Sequence, residues 1–200
     1  VRFDIKGRPV RSILKVILFP GEELHASPGA KVMMEGAIHR VQKKQILLLH
    51  TFRAIRPDTF LWLSPSHPGD IYPAQLNSEG LRIRIDSYVA HFGPLDISPH
   101  RESGPVHEDR WMILRGMGIV WVSAPSPIEE IRLAPGEEVL VDGDFLISVS
   151  PEAEIRIIPA GMERLTPLYL IRGPSRLILF ESRHSLRRGR GPISPFFHIH

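Results

Sequence analysis

Ten histidines and two Glu-Glu pairs are the side chains of this 200-residue sequence best suited to hold a metal or to move a proton. The histidines stand at 25, 39, 50, 67, 91, 100, 107, 184, 198 and 200. A β-helix metalloenzyme would need a His-x-His and a carboxylate brought together by adjacent strands. His25 has a suitable setting, but Ser27 stands where the second ligand would be. His198 and His200 have ligand spacing and are the metal candidates that remain. They would need a third ligand from another copy and they sit at a terminus. No cofactor is expected.

Glu22-Glu23 and Glu137-Glu138 each follow a Pro-Gly pair. Neighbours on a strand point to opposite faces, so the carboxylates of one pair diverge. General acid–base catalysis needs groups that converge, and a structural or solvated role is expected instead. No Gly-x-Ser-x-Gly and no glycine-rich phosphate loop occurs. Asp142-Gly143-Asp144 has the composition of a hairpin turn with φ > 0. His107-Glu108-Asp109 reads as a solvated linker end. The basic segment carrying Arg187, Arg188 and Arg190 is the candidate for phosphate or an anionic membrane surface. No aromatic is interleaved with these arginines, so base stacking is unsupported.

The elements that must position these groups are strands. Leu81-Arg82-Ile83-Arg84-Ile85 alternates with period two, as do Ile131-Arg132-Leu133 and Ile155-Arg156-Ile157. Each predicts one wet face and one buried face. Turn signals recur along the chain and no segment has helical spacing with caps, which predicts a sandwich or barrel-like all-β fold. Three runs, 60–63, 119–122 and 177–180, are apolar on both faces and need cover on both. In so small a chain one cover is expected from a neighbouring subunit. Phe60, Trp62, Trp121 and Phe180 are therefore the interface candidates, and a homo-oligomer is expected.

The sequence also repeats itself. Leu18-Phe19-Pro20-Gly21-Glu22-Glu23-Leu24 returns as Leu133-Ala134-Pro135-Gly136-Glu137-Glu138-Val139. Pro20-Gly21 and Pro135-Gly136 both suit a type II turn. A looser pairing sets 118–122 beside 173–180, each a glycine before an apolar strand. Duplication predicts two pseudo-symmetric halves: residues 1–97, a linker 98–108, residues 109–186, and a basic tail 187–200.

Composition sets the outer bounds. A 42% apolar content suits a globular chain, and no apolar run approaches the 20 or so residues that span a bilayer. There is no cysteine, hence no disulfide framework and no thiolate chemistry. That and the lack of a visible leader fit a cytoplasmic protein. Asn77 is the only asparagine and glutamine occurs at 42, 45 and 75, which suggests a heat-loving source. A net charge of +3 permits nucleic-acid binding only if concentrated on one face.

Several segments in order carry a resemblance. They are Pro20-Gly21-Glu22-Glu23 through Ser27-Pro28-Gly29-Ala30, then Leu63-Ser64-Pro65-Ser66-His67-Pro68-Gly69-Asp70-Ile71 and Asp86-Ser87-Tyr88-Val89-Ala90. Leu133-Ala134-Pro135-Gly136-Glu137-Glu138 and Leu177-Ile178-Leu179-Phe180-Glu181-Ser182-Arg183 complete the set. Together they resemble the altered-inheritance-of-mitochondria family, grouped with the tryptophan RNA-binding attenuator-like (TRAP-like) folds. The resemblance implies a duplicated short double-stranded β-helix or sandwich, and trimers that imitate a six-unit ring. It implies no reaction. A structural or scaffolding ring is the expected function. The alternatives are an RNA- or anion-binding ring and, below it, a metal-dependent β-helix enzyme.

Overall fold

A computed structural model describes residues 1–41, 49–103, 108–158, 167–180 and 196–198. The first half supplies β1 (Arg2–Lys6), β2 (Ile13–Leu18), β3 (Glu23–Ala26), β4 (Lys31–Glu35), β5 (Ile38–Val41), β6 (His50–Ala54) and β7 (Thr59–Ser64). The middle supplies β8 (Asp70–Leu76), β9 (Leu81–Arg84), β10 (Tyr88–Phe92), β11 (Leu95–Ser103), β12 (Glu108–Gly116) and β13 (Gly118–Ala124). The remainder supplies β14 (Ile128–Leu133), β15 (Glu138–Asp142), β16 (Leu146–Val149), β17 (Glu154–Ile158), β18 (Leu168–Arg172), β19 (Ser175–Phe180) and β20 (Phe196–His198). The helical turns among the described residues are two short 3-10 turns, so the fold is all-β.

Alternation of apolar side chains along these strands gives each sheet two faces, and the sheets stack in four layers. Sheet I is β1-β2-β7-β4 and sheet II is β5-β6-β3-β10-β13-β8. Sheet III is β11-β12-β9-β16-β19-β14 and sheet IV is β17-β18-β15-β20. Leu14, Val16, Leu61 and Leu63 of sheet I pack on Leu24, Phe52 and Trp121 of sheet II. The opposite face of sheet II, with Ala74, Val120 and Val122, packs on Ile83, Met112 and Ile178 of sheet III. Leu133, Leu177 and Leu179 of sheet III pack on Val139, Val141, Tyr169 and Ile171 of sheet IV. The two outer layers thus have one packed face each, and the two inner layers have two.

The registers make the duplication explicit. Lys15 pairs with Trp62 and Ile17 with Phe60 across β2 and β7; Glu130 pairs with Ile178 and Arg132 with Arg176 across β14 and β19. Trp62 then faces Met33 on β4, as Ile178 faces Ser148 on β16. Sheet I therefore corresponds to β14-β19-β16 of sheet III, and β5-β6-β3 corresponds to β17-β18-β15. β13 also stands between β8 and β10 as β19 stands between β14 and β16, each with a register shift at the matching place, so the looser pairing of 118–122 with 173–180 is an equivalence too and β7, β13 and β19 are counterparts. The halves also exchange strands. β13 lies inside sheet II between β10 and β8, and β9 lies inside sheet III between β12 and β16. Residues 98–103, read as part of a linker, are paired strand, and Ser103 stands opposite Glu108.

Two local expectations are corrected. Arg82 was assigned to a wet face, yet it is only 5% exposed. β9 is an interior strand, and the guanidinium of Arg82 lies 6.0 Å from the Trp111 ring while that of Arg84 lies 5.4 Å from it. Asp142-Gly143-Asp144 does not form a φ > 0 hairpin. It leads into a 3-10 turn, Gly143–Phe145, where the Asp144 amide donates to the Asp142 side chain at 3.2 Å. Gly143 is required there by space: a Cβ would stand 2.7 Å from the Tyr169 ring.

Candidate functional site

Two sets of side chains have functional potential: a polar row inside sheet II and the open outer face of sheet I. The row runs Thr51, His25, His91 and Val120 across β6, β3, β10 and β13. Because Leu24, Ala26 and Phe52 face sheet I, this row faces sheet III. The rings of His25 and His91 stack at 4.6 Å with 14° between their planes. His25 Nδ1 is 2.9 Å from Thr51 Oγ1, and His91 Nδ1 is 2.7 Å from the Tyr88 hydroxyl. Burial, reinforced by the neighbouring His25, pushes the His91 pKa from 6.5 down to about 3. His91 is thus a neutral, hydrogen-bonded core group. A buried imidazole stacked on a second one and hydrogen-bonded to Tyr88 is part of the packing.

The paired carboxylates are absorbed in the same way in both halves. Glu22 Oε2 accepts from the Phe19 amide at 2.9 Å and Glu137 Oε2 from the Ala134 amide at 2.7 Å, each closing its own Pro-Gly turn. Gly21 and Gly136 have φ of 86° and 85°, as the type II turn requires. Glu23 pairs with Arg53 and Glu138 with Arg172. Asp70, 1% exposed, takes a fork from Arg8 at 2.7 and 2.9 Å together with the Ile71 and Ile128 amides. Burial alone would raise the Asp70 pKa, but Arg8 and these amides outweigh it and leave the carboxyl below its ordinary value. Among the described residues, no three His, Asp or Glu side chains converge as metal ligands.

A cleft of about 340 Å³ beside Arg132, Ser150, Ser175 and Arg176 offers little free charge. Arg176 is held by Glu130 at 2.6 Å and by the Gln75 carbonyl, and Arg132 reaches Glu130 at 3.2 Å.

The outer face of sheet I is different. Of the three doubly apolar runs, 119–122 and 177–180 have both faces covered by this chain itself. Trp121 is fully buried with Phe3 edge-on at 5.3 Å, so it is removed from the interface candidates. Phe180 is half-buried and meets Phe145 at 6.0 Å. Phe60 and Trp62 instead stand on the open face, with the Lys15 ammonium 4.4 Å and 4.8 Å from their rings. Met33 and Ile13, on the same face, are 59% and 40% exposed. Such a patch, apolar and bordered by Lys6, Lys15 and Lys31 together with Asp4 and Glu35, fits a contact surface better than a catalytic cleft.

Of the other candidates, His198 lies in β20 opposite Val139, its side chain outside the described set, and His200 lies outside it altogether. Arg187, Arg188 and Arg190 also lie outside the described residues. The His25–His91 stack was missed as a unit in the sequence. Period-two alternation puts both histidines in strands, but nothing local says that those strands are neighbours.

Stacked sheets, a recurring strand order and a repeated Pro-Gly-Glu-Glu turn define an all-β protein with internal repeats. The chain belongs to the mitochondrial biogenesis AIM24 family, whose pattern matches residues 3–181. Among solved structures it is similar to protein SPYM3_0169 from Streptococcus pyogenes. The two share 16% identity and a TM-score of 0.71 over 94% of this chain and 96% of that one. At that identity the likeness concerns the fold. No curated protein matches the chain. No helix among the described residues is long and apolar enough to cross a membrane.

Proposed function

We propose that this protein is a non-catalytic scaffold whose working form is a closed homo-oligomeric ring, with a trimer of duplicated chains the favoured size. The observation that carries this reading is the open face of sheet I, where Phe60, Trp62, Met33 and Ile13 stand together. Each such side chain gains roughly 1.5–3 kcal/mol when fully covered, a strong incentive to assemble. The absence of a proposed reaction has its own support, since Glu22, Glu23, Glu137, Glu138 and His91 are all spent on turns, ion pairs and core packing.

Native mass spectrometry of the full chain at moderate salt tests the proposal. A trimer, or another closed multiple, is expected. A monomer at micromolar concentration overturns it.

A further inference from the structure

The recurring strand order singles out the C-terminal strand. β3 takes β10 on the edge opposite β6, and β9 takes β16 on the edge opposite β12. Each of those added strands pairs in turn with a further strand, β13 or β19, and so bridges two parts of its sheet. β15 is the counterpart of β3 through the repeated Pro-Gly-Glu-Glu turn, and it pairs with β18 as β3 pairs with β6. On its other edge it takes β20. The match extends to direction and register. Leu24, His25 and Ala26 stand opposite Phe92, His91 and Ala90, antiparallel. Val139, Leu140 and Val141, at the same places after the second turn, stand opposite His198, Phe197 and Phe196, also antiparallel. β20 thus occupies the position of a β10-type strand but bridges to nothing. Among the described residues it pairs with β15 alone and ends sheet IV.

The strand of that type without such a neighbour is β4. It pairs with β7 as β10 pairs with β13, and its far edge has no partner among the described residues. We infer that β20 is a self-capping strand, which holds the edge of β15 closed and must leave before β4 of a second copy can pair there. This rests on the scaffold reading above and adds a control on when copies join, built into the end of the chain. An uncovered strand edge is a template for pairing with any extended segment, and proteins cover such edges. β20 covers this one through three residue pairs, whereas β4 pairs through five on β7. The cap is the shorter strand, so a longer one can displace it. It also belongs to the same chain and competes at every dilution, so it raises the concentration at which copies join.

The test compares the full chain with two variants, each verified as folded by circular dichroism. Phe197→Pro keeps the length and charge of the tail but removes a backbone donor from β20 and disfavours its pairing. The second variant ends at Ile193 and lacks β20 altogether. Native mass spectrometry over a dilution series reads association. Hydrogen exchange along 139–141, below the concentration at which each form associates, reads the cap. Both variants are expected to associate at a concentration lower than wild type by about 10-fold or more, into the same closed multiple, and to exchange faster along β15 when monomeric. Variants that associate at the wild-type concentration, or more weakly, overturn the cap and leave the scaffold reading in place. Unchanged exchange along β15 overturns it as well, because β20 then does not cover that edge. Chains that stay monomeric in all three forms remove both readings.

Discussion

At the scale of the residue, His91 gives the clearest measurable signature. The unfolded chain binds a proton on this imidazole near pH 6.5, whereas in the folded protein the proton binds only near pH 3. Between those values the unfolded state holds more protons, so stability falls as the pH falls. Urea unfolding at a series of pH values is expected to show a loss on the order of a few kcal/mol between pH 7 and pH 4. His91→Asn is expected to flatten that slope, because the side chain that must take up the proton is gone. An unchanged slope would mean that His91 is open to water. Asp70 acts in a lower window. Its carboxyl titrates below the ordinary range, so the stability it contributes is present at neutral pH and is lost only on further acidification.

At the scale of the element, the repeated turn offers a comparison within one molecule. A Cβ at Gly21 or at Gly136 would meet nothing within 4 Å, so Gly→Ala at either site costs only the left-handed backbone. The expected loss is about 1–2 kcal/mol at each site, and equal at the two. Gly69→Ala is expected to cost more, since its Cβ would stand 1.9 Å from the Ala124 carbonyl. Thermal melts of the three variants rank these effects. The turns were legible in the sequence because proline fixes its own φ and glycine admits the positive φ that the next position needs. The need for glycine at 69 and 143 was not, because it arises from a distant strand and a distant ring. Arg82 was misplaced for the same reason: alternation reports that a strand has two faces, but not that a tryptophan from β12 covers the second.

At the scale of the whole molecule, strand exchange sets what can be separated. Residues 1–97 lack β13, which lies between β10 and β8 in sheet II, so the fragment would expose the side chains that meet at the junction of sheets II and III. Expressed alone, this fragment is expected to aggregate or bind a hydrophobic dye, and co-expression with residues 98–200 is expected to restore a soluble complex. Soluble, cooperative unfolding of 1–97 by itself would show that the halves are independent. The duplication was readable from Pro20-Gly21 and Pro135-Gly136. The crossing of β9 and β13 was not, because pairing between remote strands leaves no mark on local alternation. The open face was readable only in part. Three runs had the composition for it, and two are satisfied within the chain.

The junction of sheets II and III joins two surfaces on one polypeptide, so its effective concentration is fixed by the chain and does not change with dilution. It can be held by weak, specific contacts, and it carries hydrogen-bonded histidine, tyrosine and glutamate. A contact between copies through the open face of sheet I would have no tether and would have to supply its own affinity at the concentration of the free protein. Phe60, Trp62 and Met33 stand on that face. The difference between Ile178 with Ser148 and Trp62 with Met33 is the difference between a face already covered within the chain and one still open.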